Sequence, residues 1–276
     1  MSAVGSPPAS TSLGRGLRPA LAAIRTRLGL VLLLFTFAVI AWWSTAERMV
    51  GMDQGPGTAL GSLGWFLGVW LVMMAAMMLP AVSPTVALYA RMARDRWPGA
   101  PLLFTTGYLL VWVSAGLVAY GVSALGRGVL GSQLAWSSGG RWFAGGILVL
   151  AAAYELTPLK NACLAKCRSP LGFLLGSWRD GRAGAVEMGA RHGAWCLGCC
   201  WALMASLFAL GVMSVAWMAL VAALITLEKT LPWGRPVTNG IAALLFVLGV
   251  LLIVAPDAIP GLDIPDGQMS GAMRAP

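Results

Sequence analysis

The chain has 276 residues, 58% of them hydrophobic and only 11% charged. Soluble domains carry about 25% charged residues, so this composition excludes an ordinary water-soluble fold and fits a multi-pass membrane protein. The formal charge of +9 comes from bases scattered between apolar runs, with no basic stripe of interleaved aromatics, which excludes a nucleic-acid partner. Five cysteines in a chain of this length do not make a secreted disulfide scaffold.

Residues 1–27, rich in Pro, Ser, Gly and Arg, read as a disordered cytoplasmic tail. Leu28–Ala46 is the first run long enough to cross a ~30 Å hydrocarbon core. Ser44-Thr45-Ala46 resembles the cleavage site of a signal peptide, but the long apolar run and Trp42 and Trp43 favour a retained anchor. Six further spans follow at Leu63–Val82, Leu102–Leu125, Trp142–Pro158, Ala185–Leu210, Val212–Leu227 and Val237–Ala255. The sequence therefore predicts an all-α, polytopic transmembrane helix bundle over residues 28–255, of about seven spans. The number falls to six if the first is cleaved or the last does not span. The turn near Gly211 is the tightest in this scheme. Residues 256–276 read as a flexible tail.

Of the 19 Lys and Arg, 14 lie in the N-terminal tail and in alternate connections. Those connections carry Arg91, Arg94 and Arg96, then Lys160 through Arg182, then Lys229 and Arg235. This asymmetry puts the N-terminus in the cytoplasm.

The chemistry concentrates in Glu187–Met204, EMGARHGAWCLGCCWALM, which holds the only histidine and three cysteines. On a helix, His192, Cys196 and Cys199 fall within an arc of roughly 60°, with Cys200 beside it. Thiolate and imidazole together suit zinc, copper(I) and iron. Cysteine also packs as a small apolar residue, but ligand spacing separates this cluster from scattered cysteines. Cys163 and Cys167 are four apart and share a helical face, with Lys160, Lys166 and Arg168 nearby to favour thiolates.

Met73, Met74, Met77 and Met78 form two i,i+4 pairs on one side of a helix. Thioethers can ligate copper(I), although methionine stripes more often serve packing. Tyr154, Glu155 and Glu228 lie near span ends. Charge is costly in a bilayer, so Glu155 is expected to face inward as a hydrogen-bond partner of His192 or as a relay. Glu187 and Arg191, one turn apart, read as an interfacial ion pair. The topology brings all these residues to the cytoplasmic half of the bilayer.

Three motifs, MMAAMMLP at Met73–Pro80, YELTPLKNACLAKCRSPLGFL at Tyr154–Leu174 and HGAWCLGCCWALM at His192–Met204, together with Leu227–Lys229, carry a resemblance. The chain resembles a bacterial family of predicted metal-binding integral membrane proteins, domain of unknown function 2182, over about residues 65 to 255. That resemblance implies a bacterial inner-membrane location and a metal site at Cys163, Cys167, His192, Cys196, Cys199 and Cys200. Glu155 and the methionines would support it. The expected activity is copper(I) binding, delivery or translocation, with zinc or iron as the other ions this ligand set accepts. A client metalloprotein or metallochaperone is the expected partner. Two rival readings are a thiol–disulfide oxidoreductase using Cys163/Cys167 and Cys196/Cys199, and a membrane metalloenzyme.

Overall fold

The structure, a computed structural model, describes residues 28–49, 61–93, 99–130, 139–210, 214–231, 234–256 and 259. Among these residues the chain forms nine α-helices and no strand. They are α1 (Leu28–Met49), α2 (Leu63–Met92), α3 (Ala100–Leu130), α4 (Arg141–Glu155) and α5 (Pro158–Arg168). Then follow α6 (Pro170–Ser177), α7 (Gly181–Leu210), α8 (Val215–Thr230) and α9 (Gly234–Val254). The N-terminal tail, Arg94 and Arg96, the turn at Gly211 and nearly all of the C-terminal tail lie outside the described residues.

Five helices, α1, α2, α3, α7 and α9, are long and apolar enough to cross a membrane. Helices α4 and α5 make a sixth only if taken as one span bent by 67°. The expected span at Val212–Leu227 appears as the 16-residue α8. At about 1.5 Å per residue it reaches roughly 24 Å, short of a ~30 Å core. Against the expected seven spans, or six in the alternative, the described residues hold five membrane-length helices, or six with the bent pair.

Helix α2 runs unbroken through Pro80 and Pro84. Pro84 has no N–H to give the Pro80 carbonyl, and the Ser83 hydroxyl donates to it instead at 2.8 Å. Helices α3 and α7 meet along a seam of small residues. A side chain at Gly107 would collide with the Val186 carbonyl, and one at Gly189 with the Phe104 carbonyl. Backbone therefore lies against backbone, as in small-xxx-small packing between apolar helices. The seam lays Tyr108 of α3 along the cysteine face of α7.

The α4–α5 break has a local cause. The Thr157 amide turns back to the Tyr154 carbonyl at 2.9 Å. Thr157 Oγ1 then accepts the Lys160 amide at 3.3 Å, with Pro158 opening the new helix. A threonine cap followed by proline starts a helix as readily as proline ends one. The segment expected as a basic loop is thus a helix, α5, packed on α7 and α8.

Candidate metal centre

Helix α7 buries His192, Cys196, Cys199 and Cys200. The Sγ atoms of Cys196, Cys199 and Cys200 all lie within 4.8 Å of one another. Their spacing along one helix accounts for this, since residues three and four apart share a face. The Cys199 and Cys200 thiols donate to the Cys196 carbonyl at 3.1 and 2.8 Å, which orients both inward.

Helix α5 brings a fourth sulfur: Cys167 Sγ is 3.8 Å from Cys199 Sγ. Cys163, one turn earlier, sits over Gly198, where an added methyl would stand 2.8 Å from its sulfur. Tyr154 Oη donates to the Gly198 carbonyl at 2.5 Å, tying α4 to the same turn of α7. All five cysteines are free thiols.

Two residues absent from the expected site complete it. Lys229, at the end of α8, donates from Nζ to Cys196 Sγ at 3.0 Å. Tyr108 Oη lies 3.0 Å from the same sulfur. An ammonium and a phenol converging on one sulfur complement a negative charge there. Lys229 stood in the Leu227–Lys229 motif, which was the one available signal. Tyr108 lies 88 residues from Cys196 in an apolar span and carried none.

Lys160, expected to favour the thiolates, does something else. It is wholly buried and forms ion pairs with Glu155 and with Glu228, its Nζ 2.9 and 2.7 Å from the two Glu228 oxygens. Arg168 Nε donates to the Glu228 backbone carbonyl at 2.7 Å, and a second guanidinium nitrogen bonds the same oxygen. The cation beside the thiols is therefore Lys229. The Lys160 group instead locks α4, α5 and α8 together.

Glu155 is accordingly engaged by Lys160, and His192 Nδ1 has no hydrogen-bond partner among the described residues. The imidazole, 3% exposed, packs edge-on to Phe173 at 4.9 Å between centroids and lies 6.1 Å from the rings of both Phe104 and Tyr108. It stands one turn before Cys196, outside the group of three mutually close sulfurs. Met73, Met74, Met77 and Met78 are all buried on α2, which packs against α1, α3, α6 and α8. Met77 lines an apolar groove with Trp42, Pro80 and Thr226. Glu187 pairs with Arg191 at 2.9 Å, as expected, and also with Arg179 at 3.1 Å.

A helical bundle that gathers four sulfurs under one ammonium has the donor set of a protein that handles a soft cation. The chain belongs to the PpoB2 copper-chaperone family, whose model matches residues 67–252. That match takes in every cysteine, His192, the methionine stripe and Lys229. Neither the curated proteins nor the solved structures hold a match to the chain.

Proposed function

We propose that this chain is a multi-pass membrane copper(I) chaperone that carries the ion in the sulfur pocket and passes it to a client metalloprotein. The observation that carries this reading is the trio of buried sulfurs within 4.8 Å of one another. Thiolates are soft donors that select copper(I), zinc or iron–sulfur clusters, and the family match favours copper among these. Cys196, Cys199 and Cys200 form the holding site, and Cys167 is within reach of it. His192 Nδ1, buried without a hydrogen-bond partner among the described residues, stands one turn away, outside that close group.

The membrane part of the proposal rests on surface chemistry. Val118, Leu125, Leu150 and Val254 are 66%, 70%, 71% and 75% exposed, and α1 turns Leu32, Phe37, Ile40 and Trp43 outward. Soluble monomers rarely expose apolar patches beyond a few hundred Å². Lipid covers these faces without cost. The chain sits in a bacterial inner membrane with its N-terminus cytoplasmic, in keeping with the distribution of bases.

The charge balance fits a cation held by thiolates. One copper(I) held by two thiolates carries a net negative charge, and the Lys229 ammonium at 3.0 Å from Cys196 offsets it. In an apolar interior an unbalanced charge is strongly disfavoured.

Copper(I) titration of the detergent-purified chain under reducing conditions, with zinc as competitor, tests the proposal. Wild type is expected to take up copper(I) in preference to zinc, and Cys199→Ser to weaken binding at least about tenfold, or ~1.4 kcal/mol. Uptake unchanged by Cys196→Ser and Cys199→Ser together would end the reading.

The juxtaposed sulfurs bear on the oxidoreductase alternative as well. Cys196 and Cys199, one of the two pairs named from spacing, lie within 4.8 Å of each other, and Cys167 approaches Cys199 across helices at 3.8 Å. Reversible two-electron oxidation of the Cys167–Cys199 pair in a chain without copper(I) affinity would favour thiol exchange instead.

A further inference from the structure

Four of the five cysteines are buried, and Cys167 alone retains surface exposure. It stands in the last turn of α5, next to Arg168, and the helix ends one residue later at Ser169. Its sulfur is 3.8 Å from Cys199 Sγ, close enough for a single ion to touch both. Cys163, on the same helix, is buried and lies against Gly198 rather than beside the trio's sulfurs.

We propose that Cys167 is the exchange sulfur, through which copper(I) enters and leaves, while Cys196, Cys199 and Cys200 hold the ion at rest. This rests on the copper(I) reading above and adds a division of labour within the pocket. Arg168 anchors the end of α5 on the Glu228 carbonyl, so Cys167 keeps its place at the rim while its sulfur faces Cys199. A buried trio alone would hold copper(I) without a route for a partner's ligand to reach it. A rim sulfur in van der Waals reach of the trio supplies that route.

The step is ligand exchange with no change of oxidation state. Cys167 thiolate adds to copper(I) on a donor's thiolate, and the copper–donor bond breaks. Cys199 then forms its bond to copper as Cys167 releases it. The proton that leaves the Cys199 thiol is balanced by the one the departing donor thiolate takes up. Copper remains +1 throughout, and delivery to an acceptor is the same sequence reversed.

The experiment follows copper(I) transfer between the reduced, full-length chain in detergent and the soluble chelator bicinchoninate, by stopped-flow absorbance under anaerobic conditions. Cys167→Ser is expected to slow transfer at least about tenfold, and by a larger factor than it weakens equilibrium affinity. Cys167→Met is expected to recover part of the rate, since thioether is also a soft ligand. Wild-type rates in Cys167→Ser would overturn the proposal. So would a loss of affinity as large as that of Cys199→Ser, which would make Cys167 a holding ligand. A wild-type chain that takes up no copper(I) defeats the metal reading itself and this proposal with it, a result distinct from both.

Discussion

Lys229 is the residue on which the electrostatics of the pocket turn. A charged hydrogen bond contributes about 1.5–3 kcal/mol, so Lys229→Met is expected to weaken copper(I) binding roughly ten- to hundredfold. Lys229→Arg keeps the charge and should retain most of the affinity, which a purely packing role would not produce. Isothermal titration of the two variants beside wild type makes the comparison. The cysteines were legible from spacing because i, i+3 and i+4 positions share a helical face. The direction of a lysine side chain was not. A base at the end of an apolar span can snorkel outward or turn inward, and nothing in the order of residues distinguishes the two. Lys160 and Lys229 illustrate this from opposite sides. By its place in the sequence Lys160 is a neighbour of the thiols, yet Glu155 and Glu228 hold it. Lys229 has the position of a flanking base, yet it bonds Cys196.

At the scale of elements, the break between α4 and α5 sets the site. It turns the chain by 67° and sends α5 back against α7 and α8, bringing Cys167 to Cys199. The buried cluster of Lys160, Glu155 and Glu228 holds that return. Removing one partner of a buried pair costs about 3–5 kcal/mol, because the remaining charge is left uncompensated. Lys160→Met leaves two carboxylates facing each other and is expected to lower the thermal unfolding midpoint in detergent and weaken copper(I) uptake together. Lys160→Met combined with Glu228→Gln should recover part of the loss. Differential scanning fluorimetry with copper(I) titration would show the pattern, and unchanged stability in Lys160→Met would contradict the clamp. The sequence marked Pro158 as the end of a span. It held no sign that Thr157 would cap a second helix, because the cap depends on a local turn that several residues must form together. The α3–α7 seam was similarly hidden. The backbone of the partner helix lies against the glycines at 107, 189 and 193, a pairing that residue order alone does not reveal.

Across the whole molecule, the apolar composition predicted a helical bundle, and the fold is all-helical among the described residues. The number of membrane-length helices was less legible, because hydropathy does not reveal where a run bends or stops short. Helices α4, α5, α6 and α8 fall short of full spans, and α4, α5 and α8 carry Glu155, Lys160, Cys167, Glu228 and Lys229. Short and broken helices near the thiols are physically reasonable, since irregular backbone within an apolar bundle is tolerated where protein or a site surrounds it. The same elements that spoil the regular count therefore assemble the pocket. Long helices supply the apolar belt, and α7 supplies the trio of sulfurs. Under the proposed function, lipid against the belt and an ion on the sulfurs would be two roles of one bundle. X-ray absorption at the copper edge of the reduced, copper-loaded chain tests the role of the sulfurs most directly. The expected spectrum is that of copper(I) bonded directly to sulfur, lost in a variant lacking Cys196, Cys199 and Cys200. Copper bound only through nitrogen or oxygen, or a spectrum unchanged in that variant, would contradict it.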